Sequence, residues 1–499
     1  MPIAEPVATA ALQRIETHIS FLTFDGSLVH KRKKPVHFPF IDLSTPELRL
    51  AACQQELALN RRLAPDVYLR VDEIRDGSGV LVDAELIMRL LPDRLRLTTL
   101  VKSGCDVTAE LIQIAHVMAS FHSTALRGSD IDQVATPVGL LSRWTADFDE
   151  LEPLVATVLG VADLSRERAL VSRYIAGRSH LLHQRIADGH IVDGHGDLLA
   201  EDIFCLPDGP RILDCLEFDC QLRYGDELAD VAFLAMDLES LGRPDLAKLF
   251  ARTYQRFAGE HYPASLLHLY IAQRAMVRSK VACLRAMQGD SASVNAARTF
   301  LNLCFRHLEF GRSLLVIVGG APGTGKSTLA ARLATTMGWV HLRSDEIRRD
   351  VGEVSHEQRV SRDRLDAGLY TKAMTDRTYA AMTDHAQLLL EAGCSVILDA
   401  GFSTMESRQQ AEAVAQDTFS DLVELRCYAP PAVIDGRIGL RTQRRTDISE
   451  ADPVIALELL GRQQRWPAAH SIDTTMGEAA QLVRCLRHIG ETPVPGPVR

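Results

Sequence analysis

The segment GGAPGTGKST at residues 319–328 restricts the folds open to this chain more than any other feature. It fits the pattern GxxxxGK[ST], follows an apolar run at 314–318 and precedes the helix-like segment STLAARLATTM. A strand, a glycine-rich turn and a helix in this order are typical of an α/β domain with a parallel sheet. An unrelated glycine-rich turn is the alternative, and the elements on both sides argue against it.

The glycines of this turn let backbone N–H groups point inward around phosphates, at the positive end of the helix dipole. We therefore expect ATP at this turn, with Lys326 reaching the β- and γ-phosphates and the Ser327 hydroxyl binding Mg²⁺. The predicted cofactor-binding residues of the segment are Gly320, Ala321, Pro322, Gly323, Thr324, Gly325, Lys326, Ser327 and Thr328.

Two acidic residues follow predicted strands of the same sheet. Asp345 in HLRSDEIRRD is the predicted general base for a substrate hydroxyl, because ligands of open α/β folds bind at the carboxyl edge of the sheet. Arg348, three residues on, is expected to hold an anionic substrate. An ordinary helix start capped by Ser344 is the alternative, and it is compatible with catalysis. Asp399 ends the buried strand of SVILDAGF, where a carboxylate suits the Mg²⁺ shell.

The segment DGRIGLRTQRRTD carries a row of arginines. Arg437, Arg441 and Arg444 share one face of a predicted helix, because they are separated by four and three residues. We predict a lid that closes these arginines over the transferred phosphoryl group. A solvated basic helix is the alternative.

These motifs resemble the P-loop kinases of the AAA_33 type, which are similar to gluconate kinases, zeta-toxin-like kinases and the kinase domain of polynucleotide kinases. The resemblance covers about 313–475 and rests on GGAPGTGKST, RSDEIR, VILDAGF and the arginine row. It implies ATP-dependent phosphorylation of a hydroxyl, with Asp345 as the base.

A second group of acidic residues lies in DGHGDLLAEDIF, residues 193–204, and in PRILDCLEFD after it. Kinase chemistry needs a base near the acceptor hydroxyl, a metal ligand a few residues on and a second metal ligand on the next strand pair. Asp197, Asp202 and Asp214 fit these three roles by type and spacing, with Asp197 as the base. His195 is expected to hold the loop.

The region before this loop predicts a small lobe rich in strands, and helices dominate from about 106 to 310. This order is that of an α+β protein-kinase-like domain. Its small lobe should supply a strand lysine for the phosphates and a helix glutamate that holds the lysine. Lys31 in LVHKRKKPV and Glu56 in CQQELALN are the predicted pair. A solvated edge or a nucleic-acid patch is the alternative for the lysine-rich run. No GxGxxG segment covers the phosphates, and TFDGSL reads as a tight hairpin instead.

This half resembles the aminoglycoside phosphotransferase family in HGDLLAEDIF, ILDCLEFD and YGDELADVAFL. The order of the two halves resembles that of proteins named bifunctional aminoglycoside phosphotransferase/ATP-binding proteins. The resemblance implies a protein-kinase-like fold and makes Asp230 a structural acid at a helix start. Asp202 departs from the family, which usually carries Asn there. A carboxylate still binds Mg²⁺, but it adds negative charge beside Asp197 and Asp214.

Two arginines, Arg274 and Arg278, lie one turn apart in the otherwise apolar segment RAMVRSKVACLRA. The favoured interpretation is that they pair with buried acids, and substrate binding is the alternative. The chain is predicted to divide at the helix stop Gly311 into residues 1–310, the protein-kinase-like domain, and residues 311–499, the α/β P-loop kinase domain with its arginine lid. We expect the two parts to pack together, because their connection is short.

Composition narrows the function classes further. The 499 residues carry a formal net charge of −10 and no apolar run long enough to cross a membrane, which disfavours nucleic acid and membranes as partners. We expect a cytoplasmic enzyme, because there is no signal peptide and the ten cysteines form no CxxC pair.

The sequence predicts a kinase with two phosphoryl-transfer domains that use ATP and Mg²⁺ to phosphorylate hydroxyl groups of small molecules. One alternative is a P-loop kinase regulated by a pseudokinase N-terminal domain. Another is a nucleic-acid end kinase, which the local basic clusters suggest and the acidic net charge opposes.

Overall fold

The computed structural model describes residues 14–17, 19–38, 41–161, 163–352, 371–444, 461 and 463–490. The described residues form two compact units. The first takes them from Met1–Leu164, Gln184–Tyr262 and Leu267–His307, and the second from Ser165–His183, Pro263–Leu266 and Leu308–Arg499.

The first unit begins with a five-stranded antiparallel sheet in the order β1-β2-β3-β7-β6. The predicted hairpin at Asp25 joins its second and third strands, and Gly26 supplies the positive φ of 59° that the turn needs. The helix that packs on this sheet begins at Pro46, where the Thr45 side chain accepts the N–H of Leu48. The elements are β1 (Arg14–Glu16), β2 (Ser20–Asp25), β3 (Leu28–Lys33), β4 (His37–Phe38), β5 (Ile41–Asp42), α1 (Pro46–Asn60), β6 (Tyr68–Arg75) and β7 (Leu81–Arg89).

A mainly helical region follows, and two short antiparallel strand pairs, β8 with β11 and β9 with β10, flank its HGD segment. Its most buried helix is α9, where an apolar run surrounds a single buried acid, Asp230. The elements are α2 (Leu97–Lys102), α3 (Thr108–Thr124), α4 (Ser129–Asp132), α5 (Pro137–Leu159), α6 (Ser165–Gly177), α7 (Ser179–Ala187), β8 (Ile191–Asp193), β9 (Ile203–Leu206), β10 (Gly209–Ile212), α8 (Cys220–Arg223), β11 (Tyr224–Asp226), α9 (Leu228–Ser240), α10 (Pro244–Ala258), α11 (Ala264–Met287) and α12 (Ser293–Phe310), with 3-10 turns at Asp93–Leu95, Gln133–Ala135 and Ala200–Asp202.

Helix α6 belongs to the second unit although it precedes the HGD segment in sequence. Gly177 at its end lies so close to the Thr418 carbonyl that a Cβ there would be 2.2 Å from the oxygen. Arg178 follows and donates to the Thr418 carbonyl and the Ser420 hydroxyl, at 2.8 Å each. These contacts place α6 with the C-terminal sheet. That the two functional domains divide near residue 310 remains our proposal.

The second unit is built on a five-stranded parallel sheet in the order β13-β14-β12-β15-β16. Helices cover both faces: α13 and α18 pack on one, α15 and α16 on the other. The elements are β12 (Leu314–Gly319), α13 (Lys326–Met337), β13 (Val340–Arg343), α14 (Ser344–Val351), α15 (Lys372–Glu391), β14 (Val396–Asp399), α16 (Met405–Asp417), β15 (Asp421–Tyr428), α17 (Pro431–Arg444), β16 (His470–Asp473) and α18 (Glu478–Ile489).

The predicted fold class is confirmed. A strand-rich small lobe followed by a helical region forms the protein-kinase-like part, and a parallel α/β sheet with a glycine-rich turn after β12 forms the P-loop part. No helix in the described part of the chain combines the length and apolar character needed to cross a membrane.

Candidate active sites

The HGD segment of the first unit is held by Asp230, in the first turn of α9. Its carboxylate accepts the backbone N–H groups of His195 at 2.7 Å and Gly196 at 2.9 Å. A Cβ on Gly194 would lie 2.6 Å from Asp230 Oδ2, so this position has room only for glycine. The buried ring of His195 contacts the Leu213 carbonyl through Nε2 at 3.1 Å, which fits its predicted role in holding the loop.

A buried histidine supports Asp230 from the other side. His122 Nε2 lies 3.0 Å from Asp230 Oδ2, and its Nδ1 lies 2.8 Å from the Tyr254 hydroxyl. Burial favours the neutral acid, but the hydrogen bond and charge of His122 outweigh it and hold the pKa of Asp230 below its ordinary value. Asp230 therefore stays a charged acceptor that fixes the loop.

Asp197, which this loop presents, is half-buried. Burial, aided by the charge of Asp214, raises the pKa of Asp197 to about 6, while the charges of Arg278 and Arg274 act in the opposite direction. A carboxyl group with a pKa close to neutrality suits a general base.

Asp202 and Asp214 are brought together by the β9–β10 strand pair, where the Leu213 N–H donates to the Asp202 carbonyl at 2.9 Å. Asp214 has a positive φ of 62°, and its N–H donates to the Tyr68 hydroxyl at 3.2 Å. Burial, and then the charge of Asp214, raise the pKa of Asp202 well above its ordinary value. A divalent cation relieves this kind of crowding among carboxylates, so the pair fits Mg²⁺.

Lys31 and Glu56 lie together, with Nζ 2.7 Å from Oε1, and Lys31 Nζ also lies 3.6 Å from Asp214 Oδ1. Burial favours a neutral amine, but the charges of Glu56 and Asp214 outweigh it and raise the pKa of Lys31. A second lysine, Lys33, reaches the other Glu56 oxygen at 2.6 Å and Glu217 at 2.7 Å, and it is fully buried. Of the two lysines, Lys31 is therefore the one that lies near Asp214, one of the predicted metal ligands.

The P-loop follows β12 and leads directly into α13, which begins at Lys326. Gly320, Gly323 and Gly325 have positive φ values of 147°, 82° and 88°. A Cβ on Gly320 would lie 2.7 Å from the Cys427 carbonyl oxygen. Only glycine fits this cradle, whose turn and helix start suit phosphates.

Asp399 ends β14 beside the P-loop, paired in register with Val318. Burial opposes its charge, but His341 and the nearby Lys326 and Ser327 hold the pKa of Asp399 below its ordinary value. Its Oδ1 is buried and has no hydrogen-bond partner among the described residues. An ionised carboxylate with a free oxygen, next to the Ser327 hydroxyl, is a donor set that fits Mg²⁺.

Asp345 lies in the first turn of α14, immediately after β13, with Arg348 Nη1 3.4 Å from its Oδ1. The N-cap position is Arg343, so the alternative role of Ser344 as a capping residue is wrong. The charges of both Asp345 and Arg348 act on the buried hydroxyl of Tyr379, whose pKa is raised mainly by burial. Asp345 and Arg348 thus stand at the carboxyl edge of the sheet, where the motif predicted them.

Arg437 contacts the P-loop from α17. Its Nη1 donates to the Gly323 carbonyl at 3.3 Å, and its Nη2 donates to the Thr474 carbonyl at 2.7 Å. Thr474 in turn donates its hydroxyl to the Thr324 carbonyl. Arg437 is therefore tied to the P-loop backbone. The side chains of Arg441 and Arg444 lie outside the described part of the chain, and their lid role stays a prediction.

Arg274 and Arg278 form no ion pair with any carboxylate of the described residues. Arg274 donates Nε to the Ala229 carbonyl at 3.3 Å, and its guanidinium lies 5.0 Å from the centre of the Phe233 ring. The favoured interpretation, pairing with buried acids, is therefore not what the structure shows.

Sequence reasoning missed several residues of these sites. Glu217 completes the lysine–glutamate cluster, His122 holds Asp230, and Thr474 ties Arg437 to the P-loop. Lys33 was not missed, because alternation along the strand places it with Lys31 on one face, and Lys31 was preferred of the two.

The chain is 40% identical over 462 residues to the "Uncharacterized protein Rv2004c" of Mycobacterium tuberculosis (strain ATCC 25618 / H37Rv) and, with the same identity and length, to the "Uncharacterized protein Mb2027c" of Mycobacterium bovis (strain ATCC BAA-935 / AF2122/97). Each match covers 92% of this chain and 91% of the relative. Residues 315–460 match the model of the AAA_33 family, described as an AAA domain.

Solved structures give more distant likenesses. A choline/ethanolamine kinase family protein from Mesorhizobium loti has a TM-score of 0.37 and 15% identity, covering 60% of this chain and 89% of that one. A gluconokinase from Sinorhizobium meliloti 1021 has a TM-score of 0.27 and 14% identity, covering 36% and 93%. At these TM-scores neither likeness carries an argument about the activity of this chain.

The matched model and the glycine cradle make the C-terminal part a P-loop nucleotide-binding domain. The whole chain belongs to the family of the two mycobacterial proteins.

Proposed function

We propose that the chain is an ATP-dependent phosphotransferase with two phosphoryl-transfer sites, each acting on a hydroxyl group of a small molecule. The observation that carries the proposal is the recurrence of one chemical set in both units. A lysine lies close to a carboxylate suited to Mg²⁺, Lys31 near Asp214 and Lys326 near Asp399, and a further carboxylate stands ready as base.

In the C-terminal unit, Lys326 and the P-loop N–H groups bind the phosphates, while Ser327 and Asp399 are suited to hold Mg²⁺. Bound MgATP supplies the phosphoryl group and neutralises part of its charge. Asp345 accepts the proton of the acceptor hydroxyl, and Arg348 orients the acceptor. Arg437 supports the P-loop from behind, and we propose that Arg441 and Arg444 extend this contact as a lid.

In the N-terminal unit, Asp197 accepts the proton of the acceptor hydroxyl. Lys31, kept charged and in place by Glu56, binds phosphate oxygens, and Asp202 with Asp214 would hold Mg²⁺. The motifs shared with aminoglycoside phosphotransferases support this assignment of roles. These motifs do not indicate which molecule accepts the phosphoryl group.

The test is a metabolite-library phosphorylation screen with the full chain, carried out on the unaltered protein, Lys326→Ala, Asp197→Asn and the double variant, with products identified by mass spectrometry. We expect one product to disappear with Lys326→Ala and a different one with Asp197→Asn. Turnover that persists in the double variant would contradict the proposal.

A second candidate is an N-terminal unit that binds nucleotide without turning it over. This candidate is favoured by Asp202, which has a raised pKa and stands where aminoglycoside phosphotransferases usually carry Asn. MgATP binding to the Lys326→Ala protein without any product that depends on Asp197 would establish this candidate and remove the first for that unit.

A further inference from the structure

Three arginines border the proposed N-terminal site. Arg274 and Arg278 lie on one face of α11, a turn apart, and Arg143 lies on α5. Arg143 donates to the carbonyls of Gln221 at 2.7 Å and Tyr224 at 3.3 Å, next to the short strand that pairs with β8. Arg143 therefore lies beside the strand pair that leads into the HGD segment.

Arg274 lies against the support of this loop. The carbonyl that accepts its Nε belongs to Ala229, the neighbour of Asp230, and Asp230 holds the N–H groups of His195 and Gly196. Arg274 therefore contacts the residue that precedes Asp230, whose carboxylate positions the loop of Asp197.

Arg278 continues the same row. Its guanidinium lies 5.8 Å from the centre of the Phe300 ring, and its Nε is buried without a hydrogen-bond partner among the described residues. Its charge acts on the carboxyl groups of both Asp197 and Asp237.

The carboxylates near these arginines are already engaged. Asp230 binds His122 and two backbone N–H groups, Asp147 accepts from Lys280 at 3.3 Å, and Asp237 accepts the Ala200 N–H at 2.9 Å. The like charge of Arg274 adds to burial in lowering the pKa of Arg143. Positive charge thus accumulates near Asp197 on half-buried side chains that form no ion pair with the described residues, and partly desolvated charge of this kind is stabilised when an anion binds.

We propose that the phosphate acceptor of the N-terminal site carries an anionic group, a carboxylate or a phosphate, which binds Arg274 and Arg278 while its hydroxyl faces Asp197. This inference rests on the proposed phosphotransferase function of that unit. Guanidinium groups bind carboxylate and phosphate through paired, charge-assisted hydrogen bonds. A polycationic acceptor would meet repulsion at the same place.

The reaction balances with these groups. The acceptor hydroxyl gives its proton to Asp197, and its oxygen forms a bond to the γ-phosphorus. The bond from that phosphorus to the bridging oxygen breaks, and ADP leaves with the electron pair. The arginines take no part in the bond changes, because they only hold the anionic end of the acceptor.

The experiment uses the full-length Lys326→Ala protein, so that the N-terminal site alone turns over. Acceptors whose phosphorylation disappears with Asp197→Asn are compared with neutral analogues, for example glycerate with glycerol and glucose 6-phosphate with glucose, and with the polycation kanamycin. We expect kcat/KM for the anionic member to exceed that of its neutral analogue by about 10-fold or more. The glycerate–glycerol pair tests for recognition of a carboxylate, and the glucose 6-phosphate–glucose pair tests for recognition of a phosphate.

Arg278→Gln and Arg274→Gln should abolish this preference by raising KM for the anionic acceptor, whereas Arg278→Lys should keep part of it. Arg285→Gln, an exposed arginine on the same helix, is the matched control and should keep the preference in full. A preference for neutral or cationic acceptors in turnover that depends on Asp197 would overturn the anionic acceptor and leave the phosphotransferase function intact.

A second measurement is independent of turnover. Calorimetric titration of the Lys326→Ala protein with inorganic phosphate and with glycerate should show binding that weakens about 10-fold in Arg278→Gln and is unchanged in Arg285→Gln. If no acceptor depends on Asp197 but this difference is found, the proposed function fails while the anion site stands. Equal binding by the two variants would overturn the anion site.

Discussion

The two proposed phosphate sites are built by different physical means. The C-terminal unit uses backbone geometry, with glycines at positive φ and a helix start after β12. The N-terminal unit has a tight hairpin at Gly26 and relies on side-chain charges, with Lys31 and Lys33 gathered around Glu56. Phosphate binding by a backbone cradle should be sensitive to added side-chain atoms. Phosphate binding by a cluster of charged side chains should be sensitive to pH and to the removal of a single charge.

The largest effect should come from adding a methyl group to the cradle. Gly320→Ala places a Cβ 2.7 Å from the Cys427 oxygen at a φ of 147°, so the N–H groups of the turn must shift. We expect C-terminal turnover to fall about 10²- to 10³-fold, as when a fixed donor is lost. Gly26→Ala in the N-terminal hairpin, where no atom lies within 4 Å, is the control and should leave N-terminal turnover within about 3-fold, because only a φ of 59° opposes it.

Charge deletions should separate the two lysines of the N-terminal cluster. Lys33→Met strands the buried carboxylate of Glu217 and should cost about 3 kcal/mol in the free energy of unfolding. Lys31→Met leaves Glu56 paired with Lys33 and should lower turnover far more than stability. Urea unfolding and initial rates of both variants in the Lys326→Ala background measure the difference, and equal losses of stability would contradict the distinct roles.

The pH dependence should mark the N-terminal site. Asp197, the proposed base, would act in its ionised form, and its pKa of about 6 means that protonation removes the base as the pH falls through that value. In the Lys326→Ala background, kcat/KM should therefore fall about 10-fold per pH unit below pH 6 and level off above it. A rate that stays constant down to pH 5 would exclude Asp197 as the base.

The smallest effect concerns Asp202. Its folded-state pKa is raised above the unfolded value, so the folded state binds the proton more tightly and stability falls as the pH rises through that window. Asp202→Asn removes this penalty and should stabilise the region at pH 8 in the absence of metal, with a smaller gain at pH 5. Hydrogen exchange in EDTA of peptides from 191–213 reports the gain. A loss of protection at pH 8 would show that the carboxylate is ionised and paired.

The difference between the units also explains which features of the structure could be predicted from the sequence. The P-loop, the HGD segment and the hairpin at Asp25 are local patterns, so spacing and residue type predicted them. The bond between Lys33 and Glu217 joins residues 184 positions apart, and His122 meets Asp230 across 108 positions. Such pairs arise only when distant elements pack, and no local pattern marks their partners. The same limit applies to Arg274, where an arginine on an apolar helix suggested a pair with a buried acid, whereas its nearest acids bind other groups.

Helix α6 has a consequence for how the two proposed activities could be separated genetically. The residues of α6, together with Pro263–Leu266, are built into the C-terminal unit before the chain reaches β12. Arg178, whose pKa is lowered to about 10 by burial, fills its place against Thr418 and Ser420. A gene divided at residue 310 would deprive the P-loop unit of a buried part of itself. We therefore expect point substitutions, rather than division of the gene, to separate the two proposed sites.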